Sequence, residues 1–249
     1  VIAAALASAF SASAQTDNDT LVVTTTDTLV TRHPYAESSA QMYSVWCQVY
    51  GCLGRYNYAA RKFEGLLAER WEQLDDLTWR FHLRRDLVRH DGGPGPTTAD
   101  VLHSYNQVMT DPQSQGRFYL SSVKEIRRVD DHTFDIITKE PTSSLLGQLF
   151  DKFTITSEEI FRREGGVASY NTAPIGWGPY KLRNFAISER ITLDRNEAYP
   201  GKVESSPRTV VFRRIQEPDQ RVTALLNGEV HIARLIPPQL VGRLDNVPS

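Results

Sequence analysis

The sequence predicts a mixed α+β fold (mixed α/β), and three stretches carry the prediction. Leu77, Trp79, Phe81 and Leu83 alternate with Thr78, Arg80, His82 and Arg84, the two-residue period of a half-buried strand with its polar face in water. After Thr97, the apolar residues Val101, Tyr105, Val108 and Met109 recur at helical spacing, which is the stripe of an amphipathic helix. Residues 125–139, EIRRVDDHTFDIITK, hold two β-rich runs around Asp130-Asp131-His132, a hairpin pattern. No internal repeat or low-complexity tract competes with this reading.

The 249 residues are 40% hydrophobic and 23% charged, enough apolar content for a sizeable core in one large domain or two small ones. A formal net charge of -2 gives no global field to recruit nucleic acid or an anionic membrane, so neither partner is expected. Residues 1–10, VIAAALASAF, followed by SASAQ, read as the tail of a secretory signal peptide, with small residues Ala12 and Ala14 before a cleavage point at Gln15. Residues 1–14 are therefore expected to be a partial signal peptide. No Cys follows that point, so no lipid anchor is expected, and the mature protein is expected in the periplasm.

Along the chain, LVVTTTDTL reads as an opening strand that runs into a loop, TRHPYAES, punctuated by Pro34. Residues 39–53 carry Met42, Val45, Trp46, Val49 and Leu53 near helical spacing. Phe63, Leu66, Leu67 and Trp71 then form two apolar steps before the alternating strand. Thr97 is placed to cap the next helix with Asp100 three residues on, a variant of the capping box. Residues 145–161 are expected to be helical or nearly so. Residues 177–185, 190–195 and 209–215 read as strands, 221–226 as a helix stopped by Gly228, and 230–232 as a short strand. The final RLDNVPS carries no closing element, so the sequence is expected to be a piece of a longer chain.

The chemistry-bearing motifs are few. His90-Asp91 suggests a metal-dependent phosphohydrolase pair, but Gly92-Gly93-Pro94 beside it makes a turn, in which Asp91 supports the backbone through its own side chain. Histidines 33, 82, 103, 132 and 231 show no paired metal spacing, and no metal or cofactor is expected. No G-x-S-x-G elbow occurs, and Gly176-Trp177-Gly178 lacks the third glycine of a dinucleotide loop. Asp75-Asp76, Asp130-Asp131 and Glu158-Glu159 are read as solvated pairs rather than acid-base machinery. Cys47 and Cys52 either pair across a helix end, with Gly51 relaxing the backbone, or pack as two thiols; an oxidising compartment permits the first. No catalytic residue is expected, and a secreted hydrolase is the competing reading.

Three segments together carry a family resemblance. LLAERWEQLDDLTWRFHLRRDLVRHDGG (66–93) followed by TTADVLHSYNQV (97–108), then APIGWGPYKL (173–182), then QRVTALLNGEVHIA (220–233) resemble, in order and spacing, segments of extracytoplasmic solute-binding proteins of family 5. This is the peptide- and nickel-binding class that serves ABC importers. Trp177 stands where the family has Thr, and His231 where it has Asp. Gly93 to Pro96 add residues before the helix, and LVTRHPYA replaces the usual Leu-Asp-Pro.

The resemblance implies a periplasmic-binding-protein-like lobe I, residues 15–39 and 166–249, with an inserted accessory subdomain, residues 40–165, and lobe II missing. It implies a monomeric, non-enzymatic component that captures a peptide-like or other small solute between two lobes and delivers it to an ABC permease. Nickel or metal-chelate binding is the alternative within the same fold. His90-Asp91-Gly92 becomes a structural turn of the accessory subdomain. Ligand contacts are implied for Asp27, Thr28, His33 and Tyr35 in the loop after the first strand, for Phe118, Tyr119 and Lys152 in the accessory subdomain, and for Trp177 between two glycines.

Overall fold

The computed structural model describes residues 19–36, 39–150, 152–172, 174–201 and 206–244; the signal-peptide reading falls on residues outside these. The chain forms β1 (Thr20–Thr25), α1 (Ala40–Val49), β2 (Gly54–Asn57), β3 (Lys62–Gly65), β4 (Ala68–Gln73), β5 (Thr78–Leu83), α2 (Thr98–Thr110), β6 (Val123–Arg128) and β7 (Thr133–Thr138). It continues through α3 (Leu145–Leu149), α4 (Glu158–Arg163), α5 (Ser169–Thr172), β8 (Tyr180–Ala186), β9 (Arg190–Arg195), β10 (Thr209–Arg214), α6 (Pro218–Leu226) and α7 (Pro238–Val241).

Two four-stranded sheets frame the molecule. One has the order β1-β10-β9-β8, with β1 parallel to β10 and the rest antiparallel; the other has the order β4-β5-β7-β6, antiparallel throughout. A separate hairpin joins β2 to β3. α1 belongs to the core between them: Met42, Val45, Trp46 and Val49 are buried, and Trp46 stacks on Phe185 of β8 with ring centroids 6.3 Å apart. The same apolar cluster runs without a break into Phe81, Phe134 and Ile136 of the second sheet.

Ser39 caps α1, its hydroxyl oxygen accepting from the Gln41 and Met42 amides, which meets two of the unpaired donors of a helix start. The helix ends at Val49, four residues before the sequence pattern does. Gly51 takes a left-handed φ of 109° and turns the chain, so Leu53 reaches the core from outside the helix. Cys47 and Cys52 pair across this turn, their Cα atoms 5.1 Å apart. In α2 the Asp100 carboxylate accepts from both the Thr97 amide and its hydroxyl, each at 2.8 Å. This is the expected N-terminal clasp.

Several expectations need correction. Residues 145–161 are not one helix: between α3 and α4 the run Phe153-Thr154-Ile155-Thr156 is buried and extended, and Ile155 donates to the Gly51 carbonyl. Successive β-branched side chains favour that form. In β5 the alternation begins late. Leu77 sits 36% exposed in a turn whose amides bond to Asp75, whereas Thr78 is buried. The β2–β3 hairpin and β4 stand where the sequence reading had only apolar steps. Residues 230–232 form a single parallel bridge, Val23 to Ile232, rather than a strand.

α6 starts earlier than predicted because Pro218, with its fixed φ and missing amide, suits a first turn. In the second sheet β7 is central and buried almost throughout. Its Asp135, with no solvent exposure, accepts from Arg80 at 2.7 Å and Arg127 at 2.9 Å on the two neighbouring strands. Those guanidinium groups hold its carboxyl below the usual range and compensate a charge that burial would otherwise penalise.

Candidate binding site

The loop after β1 divides the implied ligand residues into two groups. Asp27 is half-buried and Thr28 exposed. The Asp27 amide donates to Thr25 Oγ1, and its carboxylate accepts the Ser39 hydroxyl at 2.8 Å, so it is fixed at the start of α1. His33 and Tyr35, in contrast, are buried to 2% and 1% exposure. His33 Nδ1 accepts from the Tyr35 amide, which leaves Nε2 to donate to Asp111 at 2.8 Å. The Tyr35 hydroxyl meets Thr154 O and Thr156 Oγ1, and burial pushes its pKa up to about 12. Both rings pack on Tyr170. The loop therefore folds inward as a plug of aromatic and polar groups.

Trp177 is also buried, with its indole N–H donating to Pro94 O at 2.8 Å. The glycines on either side do permit close backbone approach, and the backbone approached is that of α1. A Cβ on Gly176 would lie 2.2 Å from Tyr50 Cα, and one on Gly178 would lie 2.0 Å from Gln48 O. At that distance the Trp177 and Gly178 amides donate to Tyr50 O and Val49 O, supplying two of the carbonyl partners that a helix end lacks.

His90-Asp91-Gly92 is a turn, as the local chemistry indicated, and it also clasps the G-W-G segment. His90 Nε2 donates to Gly178 O at 2.9 Å, Nδ1 accepts from the Gly176 amide at 3.4 Å, and the His90 amide donates to Gly176 O. Burial lowers the ring's pKa to about 4. Asp91 pairs with Arg89, which lowers its carboxyl to about 2. Both ring nitrogens are occupied by backbone groups, so this arrangement holds two segments together.

Phe118, Tyr119 and Lys152 are brought together. Tyr119 packs edge-on to Tyr43 of α1 at 5.4 Å and to Phe118 at 5.7 Å, and Lys152 Nζ lies 5.8 Å over the Tyr43 ring. Phe118 is 80% exposed, uncommon for a phenylalanine with no further role. Lys152 also lines a cleft of about 550 Å³, a size that takes a small solute. One wall is α1, where Ala40, Ser44 and Gln48 repeat at four-residue spacing; others come from Tyr56 and Tyr58 of the β2–β3 hairpin, Tyr180 and Tyr199, and Arg55, Arg84, Arg195 and Arg234.

The linear reading missed this wall. The polar and small face of α1 and the aromatic Y-N-Y of residues 56–58 were its available signals. Among the described residues no group of three His, Cys, Asp or Glu is placed to hold a metal ion, and no helix is long and apolar enough to cross a membrane.

Comparison with known proteins agrees with this architecture. The chain is 30% identical over 197 residues to a probable peptide ABC transporter periplasmic-binding protein of Sinorhizobium fredii, covering 72% of this chain and 36% of that protein. It is 25% identical over 206 residues to the periplasmic oligopeptide-binding protein OppA of Salmonella typhimurium, covering 70% and 38%. Among solved structures, the periplasmic binding protein DppA of Helicobacter pylori in complex with peptide STSA superposes with a TM-score of 0.78 at 24% identity, over 92% of this chain and 49% of that one. The chain thus spans about half the length of that structure and less of the two curated relatives. The sequence model of the bacterial extracellular solute-binding proteins, family 5 Middle, matches residues 62–249, and the chain belongs to that family.

Proposed function

We propose that the protein is an exported, periplasmic solute-binding component that captures a peptide-like or other small solute and delivers it to an ABC permease, without catalysing a reaction. The observation that carries the reading is the cleft along α1, walled by tyrosines and basic side chains. Aromatic walls with a few placed polar groups are how such pockets hold small ligands. The relatives named above are peptide-binding or probable peptide-binding proteins, which supports the solute class.

In this reading residues 15–39 and 166–249 form one lobe and 40–165 an accessory subdomain, each with its own four-stranded sheet. A second lobe closes over the solute by hinge motion. Of the implied contacts, Asp27, Thr28, Phe118, Tyr119 and Lys152 present surface to a ligand. His33, Tyr35 and Trp177 act from behind, holding the loop and α1 in place.

Native mass spectrometry of the whole protein, purified from periplasm without refolding, tests the proposal. A retained small-molecule adduct is the expected result. A bare mass, together with no thermal shift from di- to pentapeptides, would count against a solute-binding role.

A further inference from the structure

The cleft along α1 has an uneven charge. Arg55, Arg84, Lys152, Arg195 and Arg234 line it, and none of its described lining residues is acidic. Three of these cations have carboxylates on their own flanks: Glu64 lies 3.2 Å from Arg55, Asp86 2.6 Å from Arg84, and Glu197 2.9 Å from Arg195. Those pairs are largely neutralised where they stand. Lys152 and Arg234 have no carboxylate partner among the described residues. Lys152 rests over the Tyr43 ring, and Arg234 is tied down through its main-chain amide, which donates to Thr24 Oγ1 at 2.9 Å.

Two cations without a carboxylate partner among the described residues raise the local potential of a concave site, because low-dielectric walls focus the field into the opening. The cleft also offers hydroxyl groups, from Ser44, Tyr56, Tyr58 and Tyr199. Tyr58 is 82% exposed, and among the described residues its ring contact is edge-on against Tyr56. Its face is free to cover a bound molecule.

We propose that this cleft receives an anionic group of the solute, a carboxylate or a phosphate on a small organic molecule, with Lys152 and Arg234 as its charge partners and Tyr58 as part of its wall. This rests on the solute-binding reading above and narrows it: acidic solutes are selected, and solutes rich in Lys or Arg are repelled. Charge-assisted hydrogen bonds to an anion supply the attraction. The same cations placed against a cationic ligand supply the discrimination.

Isothermal titration of the whole protein with Glu-Glu, Ala-Ala, Lys-Lys, succinate and glycerol phosphate, at low and high salt, tests it. Glu-Glu is expected to bind at least ~10-fold more tightly than Lys-Lys, by an amount that shrinks as salt rises. Lys152→Met and Arg234→Gln are each expected to weaken Glu-Glu binding by roughly 5- to 10-fold and Ala-Ala binding, with its single carboxylate, by less, with the melting temperature unchanged. The tighter of succinate and glycerol phosphate identifies the anionic group. Equal or tighter binding of Lys-Lys, a neutral or cationic solute recovered from the protein, or Glu-Glu binding untouched by both substitutions would overturn the anion assignment and leave solute binding intact. Binding of no probe, with no recovered solute, would overturn both.

Discussion

His90 is held at four points: two ring nitrogens, its amide, and its carbonyl, which accepts from Lys181 Nζ at 3.1 Å. Its environment resists protonation, with the pKa lowered to about 4 by burial. An unfolded chain takes up that proton near the ordinary value of about 6.5. Between those two values the unfolded state binds more protons, so stability falls as pH drops from about 6.5 toward 4 and levels off below. The effect is at most ~3 kcal/mol for this one group. His90→Gln keeps a donor for Gly178 O but removes the titration. Urea midpoints at pH 7.5 and 5.0 are expected to show the variant less stable at the higher pH and the gap narrowing at the lower one. A gap independent of pH would mean the ring does not titrate in this window. His103, also lowered by burial, is common to both proteins and cancels in the difference.

At the scale of elements, the seam between α1 and the G-W-G segment is made of backbone against backbone. Gln48 O and Val49 O lie 2.0 and 2.7 Å from where a Gly178 Cβ would stand, and a helix end cannot yield as a flexible side chain does. Gly178→Ala is therefore expected to destabilise the fold by ~3 kcal/mol or more, visible as a large drop in melting temperature. Gly147→Ala in α3, with nothing within 4 Å of its Cβ and no positive φ, is the matched control. It is expected to be neutral or to stabilise by up to ~1 kcal/mol through helix propensity. The strand and helix positions here were legible because their periodicities are local: β9 and β10 fall where predicted, and Thr97 and Asp100 cap α2 as read. The β2–β3 hairpin was not legible, since its strands are four residues long and carry Arg55, Asn57, Lys62 and Glu64. Such strands show too little alternation to stand out.

For the whole molecule, one continuous apolar cluster joins both four-stranded sheets through α1. Two units sharing a core lose it together, so thermal unfolding is expected to be a single cooperative transition. Tryptophan fluorescence, which includes Trp71 and Trp79 of the second sheet, and far-ultraviolet circular dichroism should give coincident curves. Two separated transitions would show that α1 does not couple the sheets. The candidate cleft is a property of the same scale. Its lining comes from α1, the β2–β3 hairpin, Arg84, Lys152, the ends of β8 and β9, and Arg234, and no linear spacing relates these residues. Lys152 was reachable through family resemblance, whereas Tyr58 and Arg234 became candidates only once the chain was folded.

The sequence by itself determined the α+β class, most strand and helix positions, the turn at His90-Asp91-Gly92 and the family, because propensity, periodicity and motif order are written in neighbouring residues. Tertiary structure decided which implied ligand residues are open. His33, Tyr35 and Trp177 look from the sequence much like Phe118 and Tyr119, polar or aromatic residues in loops. The first three are buried by contacts to residues 111, 154 and 94, which are distant in the chain. It also decided that Cys47 and Cys52 pair and that five basic side chains gather in one cleft, since pairing and potential depend on distance through space.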